Sequence, residues 1–486
     1  MHNLILLSHQ LNTRYIQNQD YDKVYVILTR EQFKAFRYHH FRIITHISAA
    51  KHFALKNGYE ILYENTWEEA FQTLEKKASY DFYEPVEHFM RDRIHEALDQ
   101  AQLDATPHTD INFFIPAIEK ELKRPPYKLD PLYRTWRRRF NILMEEGRPV
   151  GGRFSFDQEN RARPPKDFPV KAPRLFEADA LTKEIVDSVK TDFPDHPSSQ
   201  EPFQYPVTRA DALEALDFFI HHRLKYFGRY QDAMKEGVPF MAHSLLSAPI
   251  NLGLLFAEEV VSRVAQAYDE GIAPIEAVEG FIRQVLGWRE YIRGIYQVEG
   301  RQYPKHNVFG HSHDKPAFFY DGETTMHCLK TVINETVDHA YNHHIERLMI
   351  IGNLANLMEV HPPALREWFN EMYIDAFDWV VTPNVIGMAL YADGGLMSTK
   401  PYITSANYIH KMSDYCKGCA YDPKVKEGPS ACPVNALYYR FLDRHENILR
   451  KNPRMSFMYK NLDKLDEEVL NTLKNHAKTI MKSIHE

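Results

Sequence analysis

The chain has 486 residues, 44% hydrophobic and 26% charged, which suits two or three packed domains and excludes a disordered, collagen-like or disulfide-stapled protein. A net charge of −7 gives no whole-molecule pull on a polyanion, so nucleic-acid binding needs a local basic face. No apolar run approaches the ~18 residues of a membrane span, and four cysteines behind a start (Met1-His2-Asn3-Leu4) with no basic leader point to a reducing, cytoplasmic setting.

Leu4 to Leu7 and Val24 to Leu28 are apolar runs of strand length. Phe33 to Leu55 has helical spacing through Phe36, Ile43, Ile47 and Phe53 and stops at Asn57-Gly58. Tyr59 to Tyr63 reads as a third strand, and Trp67 to Leu74 as a helix opened by Asn65-Thr66. This alternation predicts a Rossmann-like α/β domain with a parallel sheet over residues 1–140. Ser8-His9-Gln10-Leu11 follows the first strand where a Gly-rich phosphate loop would stand, which excludes a dehydrogenase-type nucleotide site. Gly151-Gly152, Pro164-Pro165, Pro169, Pro173 and Asp195-His196-Pro197 mark residues 141–205 as a long interdomain linker. Beyond it the periodicity is helical, in Ala210 to Phe227, Leu252 to Tyr268, Ile275 to Tyr296 and Lys330 to Leu357. Residues 206–486 are therefore expected to form an all-α domain.

Cys416-Lys417-Gly418-Cys419 is a C-x-x-C, Cys432-Pro433 follows it, and Cys328 lies far upstream. Four thiolates suit tetrahedral zinc or an iron–sulfur cluster, against four unrelated buried thiols; the Cys-Pro step favours a cluster.

The neighbouring motifs carry a family resemblance. Gly151-Gly152-Arg153-Phe154-Ser155-Phe156-Asp157-Gln158-Glu159-Asn160-Arg161 resembles the G-G-x-W-x-x-D-x-x-N-R segment of photolyases and cryptochromes. Phe281 to Tyr291 resembles their W-R-E flavin helix, with one additional glycine, Gly287, before Trp288. His343-His344-Ile345-Glu346-Arg347 resembles the H-H-x-x-R run of (6-4) photolyases. With the four cysteines, the match is to the bacterial iron–sulfur branch, the prokaryotic (6-4) photolyases and cryptochromes. The resemblance implies an α/β antenna domain, a helical domain holding FAD, and a [4Fe–4S] cluster on Cys328, Cys416, Cys419 and Cys432. It also implies light-driven repair of (6-4) photoproducts flipped out of UV-damaged DNA, by a monomer, through an electron from reduced FAD. A cryptochrome photoreceptor with the same cofactors is the alternative. An iron–sulfur nucleic-acid binder resembling primase large subunits is a second, and it predicts no flavin.

The same resemblance assigns residues. Tyr226, His243, Ser244, Leu245, Leu246 and Ser247 match the part that cradles the flavin phosphates, where hydroxyl and backbone donors suit a pyrophosphate. Gln284 and Arg289 match the flavin helix, Arg347 and Asp375 the arginine–aspartate pair beside the ring, and Asp378 and Asn384 its remaining contacts. His344 matches the proton donor, with His343 as its partner; a tunable imidazole suits that acid role. Tyr402 matches a tyrosine of the lesion pocket, and Trp368 the tryptophan that re-reduces the flavin, with Tyr320 and Trp379 as further steps. Residues 437–460, with Arg440, Arg444, Arg450, Lys451, Arg454 and Lys460 and a net charge of +4, form one candidate DNA face. Arg161, Arg163 and Lys166 add to it. Relatives of this branch hold 6,7-dimethyl-8-ribityllumazine at a strand end; here His9, Gln10 and Leu11 stand there, with Phe33 where an acidic residue is expected. Asp157 and Asp232 are candidates for a divalent cation.

Overall fold

The computed structural model describes residues 1–17 and 19–485. Five parallel strands, β1 (His2–Leu7), β2 (Lys23–Thr29), β3 (Glu60–Glu64), β4 (Ser79–Tyr83) and β5 (Asp104–His108), form a sheet of order β3-β2-β1-β4-β5. The two-residue side-chain period sorts β1 onto two faces: Leu4 and Leu6 enter one core cluster, Ile5 and Leu7 the other. On the Leu4 face lies α1 (His40–Asn57), capped by His39 and closed by Gly58 at φ 69°. On the other lie α2 (Trp67–Gln72), capped by the Thr66 hydroxyl, and α3 (His88–Ala101). β4 and β5, which carry Asp81, Asp104 and His108, have too little apolar alternation to be legible beforehand.

Helix α1 is the seam between the sheet and the rest of the chain. His39 N donates to Glu371 O at 2.7 Å, and Arg42 Nη1 to Asn370 O at 3.1 Å. The preceding α4 (Leu129–Arg139) packs on the helical region, where Tyr133 OH donates to Glu279 Oε1 at 3.1 Å. Within the stretch expected as linker, α5 (Ala180–Asp192), capped by Asp179, packs on α1.

The helical region begins with α6 (Arg209–His222), α7 (Leu224–Tyr230), α8 (Ser247–Asn251) and α9 (Ala257–Asp269). Next, α10 (Ile275–Ile282) runs through a π-helical stretch, Arg283–Arg289, into α11 (Glu290–Glu299). The helix expected from Lys330 to Leu357 is broken. After α12 (Phe318–Asp321), α13 (His327–His339) ends at Ala340 with φ 48°, residues 341–343 are not helical, and the chain re-enters helix at His344. Apolar periodicity continues across such a break and hides it. No helix of the described residues is long and apolar enough to cross a membrane.

Candidate functional site: a deep cavity and a four-cysteine site

Three π-helical stretches, Arg283–Arg289, Glu346–Gly352 and Asn384–Ala389, converge on one cavity of about 300 Å³. A π turn accommodates one more residue than an α turn, and such turns favour functional sites. Gly287, the extra residue in the flavin-helix motif, sits inside the first stretch, where a Cβ would lie 3.2 Å from the Tyr133 ring. The wider turn keeps Gln284, Trp288 and Arg289 on the cavity side despite the insertion. The second and third stretches touch at Gly352, where a Cβ would fall 2.8 Å from that of Ala389.

The walls divide by chemistry. Phe227, Phe281, Val285, Leu348 and Met388 are apolar, while Ser244, Ser247, Asn251, Gln284, Arg347 and Asn384 are polar. Arg347 Nη1 and Nη2 donate to Asp375 Oδ1 and Oδ2 at 3.0 and 3.2 Å, and Ser247 Oγ donates to Asp375 Oδ2 at 2.7 Å. Against the lowering effect of burial, Asp375, Tyr373 and Tyr341 hold the Arg347 guanidinium above its ordinary pKa. Arg289 stacks its guanidinium over Phe113 at 4.1 Å, and burial lowers it to about 10. Its Nε is buried without a partner, a donor available at the wall. The segment before α8 is framed by Arg223, which donates to the carbonyls of Phe240, Met241 and His243 and ties in Lys171 O. An arginine spread over several carbonyls fixes a turn that has no helix of its own, with Leu245 at φ 59°.

His344 lines the cavity; burial, then Arg347 and His343, lower it to about 4. His343 does not line it. Because helix restarts at His344, His343 precedes the first turn and accepts there from Glu346 N and Arg347 N, at 3.1 and 3.2 Å. Its ring lies behind the lining, stacked on His243.

His243, Ser244, Leu245, Leu246, Ser247, Gln284, Arg289, Arg347, Asp375 and Asn384 all line the cavity as expected from the sequence; Tyr226 and Asp378 do not. On α7, Phe227 takes the inward position, about 100° from Tyr226, which lies under Lys225. Asp378 is committed elsewhere, to Arg366, Thr382 and Tyr296 OH. Tyr402 lies outside the lining, half-buried, with Asp157, Arg161 and Arg454 around it. Trp368 is fully buried one ring behind the wall, 5.4 Å from Phe369, which lines it. Asn251, Phe369 and Met388 line the cavity without a motif to announce them; Asn251, one turn beyond Ser247, was the nearest to legible.

The strand-end crevice is filled by the protein's own side chains. Gln10 bridges Leu7 N and Tyr83 O at 3.0 and 2.9 Å, and Leu11 is fully buried. Phe33 packs edge-on against His46, which bonds Ser8 Oγ at 3.1 Å and lies 5.6 Å from Phe377. His9 packs on Phe377 at 5.8 Å, and the space beside it is about 10 Å³, room for one water. These residues do not fit a lumazine.

Cys328, Cys416, Cys419 and Cys432 line one small apolar cavity with Ile409, Tyr415 and Val434. Burial, then the neighbouring thiols, push Cys416 up to about 11 and raise Cys328 further; burial does the same to Cys432, also about 11. Such a set gains from a cation that takes the thiolates. Among the described residues, no group of three or more His, Cys, Asp or Glu side chains is arranged to hold a metal ion. Asp157 and Asp232 are likewise engaged, by Arg283 at 3.0 Å and Arg161 at 3.4 Å. On the expected basic face, Arg440 and Arg444 are paired with Glu359, and Arg450 with Glu446 and Asp463. Lys451, Arg454 and Lys460 are exposed.

A five-stranded parallel α/β unit joined to helices around a deep cavity is the photolyase/cryptochrome fold. The structure resembles a cryptochrome of Synechocystis (TM-score 0.58, 14% identity, 99% of each chain). It also resembles a bacterial class III photolyase of Agrobacterium tumefaciens (TM-score 0.56, 14% identity, 99% of this chain and 98% of that one). Residues 4–205 match the model of the deoxyribodipyrimidine photo-lyase-related proteins. The chain is 46% identical over 361 residues to a (6-4) photolyase of Agrobacterium fabrum, covering 74% of this chain and 71% of that protein. The chain belongs to the photolyase/cryptochrome family, in its photolyase-related branch.

Proposed function

We propose that this protein is a light-driven (6-4) photolyase, and that its large cavity holds FAD. The observation that carries this reading is that His344 lines the same cavity as Arg347, Asp375 and Gln284. FAD, when bound, supplies the photoexcited electron. The chain supplies the rest. Arg347, held flat by Asp375 and by Tyr373 at 3.9 Å, presents a fixed positive charge to the polar edge of a ring. The Ser244 hydroxyl, which accepts from Leu246 N and keeps its own O–H, offers a donor to phosphate, while Ser247 gives its O–H to Asp375, and the apolar walls exclude water. His344, near 4 and neutral at pH 7, faces a site in which a phosphate-bearing ligand would offset Arg347 and raise its hold on a proton. It then delivers that proton to the base whose substituent must leave.

Arg161 and Arg454 face Tyr402 together with Asp157 and Asp232, and Lys400 lies near both arginines; Lys400 and Arg454 are the cations this rim offers to the phosphates of a flipped lesion. The four thiols around one small cavity suit a [4Fe–4S] cluster, and the Cys432-Pro433 step favours it over zinc. Four cysteines without a disulfide suit a reducing, cytoplasmic compartment.

The test is blue-light repair of an oligonucleotide carrying one (6-4) photoproduct by anaerobically reduced protein, with a dark control and His344→Ala. Restored bases in the light, lost in the variant, are expected. Flavin-loaded protein without repair would refute the reading and indicate a photoreceptor.

A further inference from the structure

Behind His344 lies a buried polar cluster that the repair chemistry above does not use. The His343 ring stacks on His243 with centroids 4.6 Å apart and planes 7° from parallel, and its Nε2 lies 3.1 Å from Glu346 Oε1. His343 and Glu346 have no solvent exposure. The 3.1 Å approach is out of hydrogen-bond alignment, so both ring nitrogens and Glu346 Oε2 are left without a hydrogen-bond partner. Tyr415 OH donates to Glu346 Oε1 at 2.8 Å, and Tyr415 directly precedes Cys416. A carboxylate in such a place needs a counter-charge, because burying it alone is costly. Arg347, the next residue, does not provide one: its guanidinium is spent on Asp375 and on Asn342 O at 2.8 Å.

We propose that Glu346 is a positioning residue for His344: its carboxylate is the counter-charge that lets the buried trio His243, His343 and His344 hold one proton, and Tyr415 ties that carboxylate to the four-cysteine loop. The other charged groups facing the trio do not do this. Arg223 and Arg347 repel a proton there. Asp232 faces His343 from beyond α7 but is engaged by Arg161. Glu335 on α13 faces Glu346, with Glu236 and Asp338 beyond it; burial and these three carboxylates raise Glu335, which therefore offers the trio no fixed negative charge. His243 and His344 line the cavity, and His343, stacked on His243, lies one ring behind it. Only the link from this device to reaction rate rests on the repair reading.

The decisive experiment is a ¹⁵N titration of the histidine rings in the flavin-loaded full chain, comparing wild type, Glu346→Gln and Tyr415→Phe. His343→Gln identifies the relevant signal, and light-driven repair is followed over the same pH range. Glu346→Gln is expected to move that ring titration down by about one unit, a tenfold loss of proton affinity. The fall of repair with rising pH should move to lower pH with it. Tyr415→Phe should act in the same direction by less. Superimposable ring titrations for wild type and Glu346→Gln overturn the proposal whatever the repair rates. A shifted titration in protein whose wild type repairs nothing supports the proposal and overturns the repair reading instead. If Glu346→Gln does not fold, Tyr415→Phe, which removes only a hydroxyl, decides by the same criterion.

Discussion

Replacing Asp375 with asparagine removes one charge from the cavity wall at almost no cost in volume. The carboxylate accepts two bonds from Arg347, at 3.0 and 3.2 Å, and one from Ser247 at 2.7 Å. Breaking a buried pair by removing one partner costs about 3–5 kcal/mol where water cannot reach the survivor. The Arg347 side chain keeps 19% of its exposure and Asp375 10%, both toward the cavity. Water in a flavin-free cavity therefore compensates part of the loss, leaving about 2 kcal/mol. With an unfolding entropy of roughly 2.1 cal/mol/K per residue, that lowers Tm by about 2 °C. Flavin closes the cavity to water, so the remainder of the cost, about 1–3 kcal/mol, falls on binding. Flavin affinity should drop roughly 10- to 100-fold. Calorimetric melts with and without flavin, beside a fluorescence titration of FAD, measure both quantities. An Asp375→Asn protein that melts with wild type and binds FAD within twofold of it would show that Arg347 needs no counter-ion there.

Four further outcomes are expected. Arg223→Met, which strips the frame from residues 240–243, should weaken FAD binding at least ~10-fold; unchanged affinity in a titration would show that the turn holds itself. Stability should be highest near pH 6.5. His39, His344 and His445 are held near 4 and His311 near 3 by burial, so below 6.5 the unfolded chain takes up protons first and stability is lost as pH falls. Glu87, raised by burial to about 7, and Glu335 act the other way, binding more protons when folded, so their contribution fades as pH rises. The lowered histidines outnumber the raised carboxyls, so the loss below pH 6.5 dominates and is readable from urea melts; a flat profile from pH 5 to 7 counts against it. Lumazine added to the purified protein should leave the excitation spectrum unchanged, because His46 and Phe377 fill the crevice; energy transfer to flavin would show that they move aside. Cys416→Ala should abolish iron binding and lower Tm, and a well-folded, iron-free variant would show that the cluster is not structural.

Much of this molecule was legible where side-chain chemistry acts locally. Gly58 and Thr66 mark a helix end and a helix start through their own backbone and hydroxyl, and both occupy those positions. The apolar runs of β1 and β2 stand where the sequence places them, because a buried parallel strand needs apolar residues on both faces, while β3, at the sheet edge, is only partly buried. The set from His243 to Ser247, with Gln284, Arg347 and Asp375, came from motif resemblance, and the chain brings it to one cavity.

What the tertiary structure decided turns on directions that periodicity does not carry. Ala340 adopts a left-handed conformation that nothing in its own side chain requires, and that one residue ends α13 and lets helix restart at His344. As a result two adjacent histidines part company, His344 to the cavity and His343 to His243 and Glu346. Tyr226 and Asp378 lost their expected places because neighbours, Phe227 on one side and Arg366 on the other, won the contacts. Half of the basic face was neutralised, by Glu446 within it and by Glu359 and Asp463 outside residues 437–460, which a net-charge count of that stretch leaves out. The amino-acid sequence by itself determined the family, the α/β-then-α order and the residue types at the site. Which of those side chains face one another was settled by the packing of α1 and the three π turns around a shared cavity, since contacts between distant segments exist only once those segments are packed.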